Sequence, residues 1–136
     1  MSYLLDVNVL LAWGWADHVD HRRAATWIAT VKQKRGIKLF TSSIPELGFV
    51  RISVQRGGGR LKVAEASEVL ASMLRSLGSR HEFLPDDLSS AERFPAWCLS
   101  AAHTTDAHLL ALANRHQLQL ATLDTGIPSA FLIPLA

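Results

Sequence analysis

Apolar side chains along the chain fall into two rhythms, short continuous runs and stretches with spacings of three and four. Tyr3 to Val7 is a run of the first kind and predicts a short buried strand, after which Val9, Leu10 and Leu11 begin a helix. Over residues 20–34, Ala24, Trp27, Ile28 and Val31 share one helical face. Ile37 to Thr41 is a second strand candidate, and Ser43 opens another helix. Val63, Ala66, Val69, Leu70, Met73, Leu74 and Leu77 then repeat at helical spacing until Gly78 stops them. A third strand at His81 to Leu84, a helix over 105–116, a strand at Leu118 to Thr122 and a last strand at Phe131 to Ile133 complete the pattern. Strands separated by helices of about 10–15 residues imply parallel pairing through right-handed crossovers. The expected fold is therefore a three-layer α/β/α domain with a mainly parallel central sheet, residues 1–136 forming a single domain. In such sheets the ligand site lies beyond the carboxyl ends of the strands.

Composition narrows the picture. A 49% hydrophobic and 19% charged chain has the material for a packed core and is not disordered. The longest runs without a charged side chain, such as Phe94 to Thr105, span 12 residues, short of the roughly 20 that a membrane helix needs. The N-terminus, MSYLLDVNVLLAWGWA, is apolar like a signal peptide but lacks a basic leader and carries Asp6 inside the apolar run, so a cytoplasmic protein is expected. One cysteine, Cys98, excludes an internal disulfide and a cysteine-based zinc site. The net charge of +2 conceals an asymmetry: residues 21–64 hold ten basic side chains and one acid, Glu46. A segment so basic attracts phosphate backbones or acidic partners, unless its charges are balanced in space by the acidic remainder.

Four acids fall just after a strand or at the start of the following helix: Asp6, Glu46, Asp106 and Asp124. Parallel strands bring these ends to one edge of the sheet. Four carboxylates gathered there repel one another unless a cation is present, and an all-oxygen set that keeps several waters suits Mg²⁺ or Mn²⁺. Each acid also has an ordinary explanation. Ser43-Ile44-Pro45-Glu46 matches a helix capping box, a pattern that recurs at Ser89-Ser90-Ala91-Glu92. Asp106 suits the positive end of a helix dipole, and Asp124-Thr125-Gly126 suits a turn. Asp6 is harder to explain away, because a carboxylate within an apolar strand is costly to bury unless it is paired.

The segments LLDVNVLLA, SIPELGFVRI, TTDAHLLALA and LATLD resemble, in order and in flanking apolar residues, the four acidic motifs of the PIN-domain ribonucleases, especially the VapC toxins of bacterial toxin–antitoxin pairs. The motifs reach from residue 4 to residue 124. The resemblance implies a PIN domain with Mg²⁺ or Mn²⁺ dependence, endonucleolytic cleavage of RNA, a homodimeric toxin and a cognate antitoxin that blocks the site. It assigns the acidic roles to Asp6, Glu46, Asp106 and Asp124 and the supporting polar ones to Asn8 and Thr122. The last motif departs from the family, where a second acid and an aromatic often follow. Here Thr125-Gly126-Ile127 follows Asp124, so no fifth ligand is expected from that region.

The chemistry fits these residues directly, since phosphodiester hydrolysis needs an activated water and charge neutralisation that metal-bound carboxylates can organise. Arg51, five residues after Glu46 on the same helix, is a candidate phosphate contact; its alternative is a surface arginine lying along apolar neighbours. His103 and His108 flank Asp106 and are weaker candidates for substrate contact. Arg56-Gly57-Gly58-Gly59-Arg60 lacks a P-loop ending and reads as a basic loop, Cys98 reads as core, and one of Trp13 and Trp15 is expected to be exposed. Two competing functions remain. Asp6-Val7-Asn8 is similar to the nucleophile loop of haloacid-dehalogenase-like phosphatases, with Asp86-Asp87 as a late acidic pair, and a non-catalytic PIN-like module would bind RNA or protein without cutting.

Overall fold

Short strands whose successive side chains are buried on opposite faces let one sheet carry helices on both sides. The structure, a computed structural model, describes residues 1–136. Strands β1 (Tyr3–Leu5), β2 (Leu39–Thr41), β3 (His81–Phe83), β4 (Gln119–Thr122) and β5 (Phe131–Leu132) pair in the order β3-β2-β1-β4-β5, all parallel. Helices α1 (Val7–Gly14), α2 (His21–Lys32), α3 (Ser43–Arg56), α4 (Val63–Leu77) and α5 (Thr104–Arg115) join them. Successive residues of the central strands face opposite sides. Leu5 and Ala121 pack with Val9, Leu10, Trp27, Ile28, Phe49 and Leu70 of α1–α4, whereas Leu4 and Leu120 pack with Leu109 and Leu112 of α5. The result is the expected α/β/α sandwich. No helix is long and apolar enough to cross a membrane.

The chain lays β2 and β3 outward from one side of β1, then returns through α5 to place β4 on the other side. The strand order thus reverses beside β1, and at such a switch point a crevice opens beyond the carboxyl ends of the strands. Residues Asp6, Thr122 and Asp124 emerge at this place.

One local expectation is corrected, and one sequence pattern proves to be silent. The first strand stops at Leu5, because the Asp6 carboxylate accepts the Val7 amide at 2.7 Å and caps α1. Ser89 to Glu92 starts no helix: residues 85–100 carry none, and the Ser89 hydroxyl accepts the Ala91 amide in a turn. A glutamate that reaches back to a cap amide is found instead at α4, where Glu65 accepts from Lys62 at 2.9 Å. Gly78, by contrast, ends α4 as its position predicts, with φ at +56°.

The segment 85–100 is fastened to α5 by its acids. Asp86 accepts the Leu88 amide at 3.1 Å and stands 2.6 Å from Nε2 of His108, both side chains being nearly buried. Asp87 lies 3.6 Å from the Arg115 guanidinium and 3.8 Å from His116. His108 therefore points into the fold, away from any substrate role. Removing one partner of a buried hydrogen-bonded pair strands the other, at about 1–3 kcal/mol. His108→Ala is expected to lower stability by that order, and Asp86→Asn, which keeps a hydrogen bond to the ring, by clearly less. Equal losses in urea melts of the two variants would show that the pair contributes nothing as a pair.

Candidate active site

The end of β1 delivers Asp6 into the crevice as a buried carboxylate, 2% exposed. Its two oxygens have separate partners: Oδ1 accepts the Val7 amide at 2.7 Å and Oδ2 accepts the Thr122 hydroxyl at 2.8 Å. Burial, with a smaller contribution from the charges of Asp106 and Asp124, pushes the Asp6 carboxyl up to about 6 against the pull of those two hydrogen bonds. Burial likewise raises Asp106, with Asp124 adding to the shift and His103 opposing it. Three aspartates from β1, α5 and the end of β4 thus act on one another.

Thr122 is the centre of a polar knot. Fully buried, its hydroxyl donates to Asp6 and accepts from Asn8 Nδ2 at 3.2 Å and from the Asp124 amide at 3.0 Å. Asn8 Oδ1 in turn accepts the Leu123 amide at 3.2 Å. The parallel register that sets Leu5 beside Ala121, with the Asp6 amide donating to the Ala121 carbonyl, brings these residues together from opposite ends of the sequence. Asp124 Oδ1 accepts the Gly126 amide at 2.8 Å, so the turn expected at 124–126 exists and holds this carboxylate at the β4 end.

Glu46 is arranged differently from the expected capping box. Ser42, not Ser43, stands at the N-cap of α3, and its buried hydroxyl has no hydrogen-bond partner. The Glu46 side chain leaves its own helix and takes a 2.5 Å hydrogen bond from the Thr41 hydroxyl, which also lies 2.7 Å from Nε2 of His81. Burial lowers the pKa of His81, while Glu46 and Glu82 oppose the shift. Asp6, Asp106 and Asp124 act on one another, while Glu46 is held by Thr41 at the end of β2. No three His, Cys, Asp or Glu side chains are grouped closely enough to form a metal-binding cluster.

A cleft of about 320 Å³ runs between α3 and the start of α5, with Asp106 and Thr105 on one wall, Arg51 on the other, and Val7, Leu47 and Ile52 lining it. Arg51, the candidate phosphate contact, is exposed and lines this cleft. Other members of the basic block are engaged within the fold: Arg23 holds the Ile133 carbonyl, Lys38 pairs with Glu82 at 3.0 Å, and Arg56 bonds Asp17 at 3.1 Å. Arg56 also stacks over Trp15, 4.5 Å from the ring centroid, and Trp15 donates to Ser53 at 2.9 Å. Neither Trp13 nor Trp15 is exposed, contrary to expectation, and Cys98 is half-buried rather than core. His103 stays near the site, bonded to Ser100 and close enough to act on Asp106. Thr41 and His81 went unnoticed in the sequence; Thr41 was visible only as the last residue of a strand, and a histidine opening an edge strand carries no signal of its own.

The chain matches the PIN domain family over residues 3–130. Among curated proteins it is 36% identical over 126 residues to ribonuclease VapC38 of Mycobacterium tuberculosis, covering 91% of this chain and 86% of that one. It is 41% identical over 132 residues to ribonuclease VapC44 of the same organism, covering 93% and 89%. Among solved structures it resembles Mycobacterium tuberculosis VapC20, a sarcin-ricin loop cleaving toxin, with a TM-score of 0.63 and 13% identity over 98% of this chain and 99% of that one. It also resembles a chain of VapBC2 from Rickettsia felis, bound to a DNA fragment from their promoter, with a TM-score of 0.56 and 17% identity over 97% of each. At these identities the two structures speak for the fold.

The raised carboxyl of Asp6 has a consequence for stability. The folded protein holds this proton more tightly than the unfolded chain, whose aspartate titrates near 3.8. Stability from this group is fully present below that pH and is lost as pH rises through about 6. The loss is about 3 kcal/mol at neutral pH, at about 1.4 kcal/mol per pKa unit. In EDTA, Asp6→Asn is therefore expected to close the gap to, or overtake, wild type in melting temperature as pH rises from 4 to 7. A difference between the two proteins that stays constant across this window would mean that Asp6 titrates as an ordinary aspartate.

Proposed function

The chain belongs to the PIN domain family, and on that footing we propose that it is a metal-dependent endoribonuclease, the toxin of a toxin–antitoxin pair. The observation that carries this reading is the buried Asp6 carboxylate, fixed by Thr122 and the Val7 amide while Asp106 and Asp124 press their charge upon it. Such repulsion is relieved by a cation, and the donors are all hard carboxylate oxygens. An ion that keeps several of its waters asks the fewest oxygens of the protein. Asp6, Asp106, Asp124 and Glu46 would hold Mg²⁺ or Mn²⁺, which when bound neutralises phosphoryl oxygens and activates water.

The remaining steps fall to the chain's own side chains. Thr122 and Asn8 keep the Asp6 carboxylate from rotating as charge develops nearby, and the Asp124 amide is tied to the same hydroxyl. Glu46, held from β2, orients the attacking water. Arg51 takes an RNA phosphate across the cleft from Asp106. Residues 1–136 are read as one PIN domain acting in the cytoplasm as a homodimer, and an antitoxin with an acidic or aromatic-rich segment would enter the cleft near Glu46 and Arg51.

The phosphatase alternative loses its late acidic pair, because Asp86 is committed to His108 and Leu88 and Asp87 to Arg115 and His116. A purely binding module leaves the coupled aspartates without a purpose.

Purified protein is expected to cleave single-stranded or looped RNA with Mg²⁺ or Mn²⁺ and to stop on chelation, and Asp106→Asn to slow cleavage by about a hundredfold or more. Cleavage that survives thorough chelation would sink the metal-dependent reading. Expressed alone, the protein should arrest growth, and co-expression of the adjacent small open reading frame should relieve the arrest. A chain harmless at high expression is not a toxin of this kind.

A further inference from the structure

Of the groups that the ribonuclease reading leaves unused, one pair stands against a proposed site residue from the far side. Thr41 ends β2, fully buried, and His81 opens β3 beside it. In the β2–β3 register Leu39 is opposite His81, so Thr41, two residues further on, lies diagonally across on the same face. The Thr41 hydroxyl touches both Glu46 Oε2, at 2.5 Å, and His81 Nε2, at 2.7 Å.

Hydrogen counting gives this contact a direction. A carboxylate only accepts, and a threonine hydroxyl has a single hydrogen. The hydrogen between Thr41 and Glu46 therefore belongs to Thr41. The one between His81 and Thr41 must belong to Nε2, whatever the charge of the ring. We propose that His81 and Thr41 are positioning residues for Glu46, forming a chain in which Nε2–H of His81 donates to Thr41 Oγ1 and Thr41 Oγ1–H donates to Glu46 Oε2. The inference rests on the ribonuclease reading above.

The chain does for Glu46 what Thr122 does for Asp6. A glutamate in the first turn of a helix would ordinarily fold back to a cap amide or move freely among rotamers. Here the backbone of β2 and β3, two strands of the central sheet, supplies the reference point instead. One carboxylate oxygen is taken by Thr41, and the other receives no hydrogen bond from the chain, which leaves it for water or a cation. Because Thr41 is bound on its other side by His81, its hydroxyl cannot turn away from Glu46 without giving up a buried hydrogen bond.

A structural strut between β2 and α3 would show the same contacts, and the test must separate the two roles. Single-turnover RNA cleavage and melting temperature are measured for wild type, Thr41→Val, His81→Leu and Glu46→Gln, and for Thr41→Val and His81→Leu each combined with Glu46→Gln. Thr41→Val and His81→Leu are expected to slow the maximal rate about tenfold or more, with KM within about twofold. In the Glu46→Gln background the same changes should alter the rate less than about twofold, since they act through the group already changed. Thr41→Ser and His81→Gln, which keep a donor, should recover most of the rate. Nitrogen NMR of the imidazole gives a readout independent of activity: His81 should carry its hydrogen on Nε2 in wild type and lose that preference in Thr41→Val.

Unchanged rates, equal losses in both backgrounds, or a His81 hydrogen on Nδ1 alone would overturn the proposal. Thr41 is a fully buried position; if Thr41→Val does not fold, His81→Leu on the edge strand decides. Wild type that cleaves no RNA would refute the ribonuclease reading and the catalytic part of this proposal with it, while the nitrogen spectrum would still report whether Glu46 is held.

Discussion

The structure is organised around one unfavourable act, placing a carboxylate at the buried end of the central strand. Left unpartnered in a dry site, that group would cost several kcal/mol. The Val7 amide and the Thr122 hydroxyl offset part of the cost, and Asp106 and Asp124 add to it. Several features follow from this one constraint. Strand β1 is short because Asp6 must turn to cap α1, and Thr122 must be a hydroxyl residue because it has to donate to Asp6 while accepting from Asn8 and Asp124. Strand β4 must lie beside β1 because no other neighbour brings that hydroxyl into reach.

Much of this was legible in the sequence because it rests on local signals. Periodicity located α2, α4 and α5 to within a residue or two, and the alternation of runs and helices implied the parallel sheet. The four acids were visible because each stands just after a strand or at the start of the helix that follows. Local patterns misled, or carried no meaning, where a specific hydrogen bond overrides them. Ser43 to Glu46 satisfies the sequence rule for a capping box, yet Glu46 takes its hydrogen bond from the Thr41 hydroxyl at the end of the preceding strand. Ser89 to Glu92 satisfies the same rule and forms no helix, since Asp86 and Asp87 tie this stretch to α5. His108 flanks a site residue in sequence, but at two positions along a helix it faces elsewhere.

Charge along the chain was a partial guide. The basic block between residues 21 and 64 is not one surface: Arg23, Lys38 and Arg56 serve carbonyl, carboxylate and indole partners within the fold, and Arg51 is the member that faces the cleft. The site therefore has an acidic floor and an adjacent cationic wall. That arrangement draws a polyanion toward the carboxylates without neutralising them in its absence.

The pairing of β1 with β4 also has a meaning in time. Asp6 and Thr122 are 116 residues apart, and the hydrogen bond between them closes almost the whole chain into one loop. Contacts of such long range form late in folding, after the loop entropy has been overcome. During synthesis the first strand leaves the ribosome long before its partner exists, so three of the four acids can be outside while the crevice is still unmade. Order of translation thus postpones assembly of the cleft until β4 has been made and has reached its place beside β1.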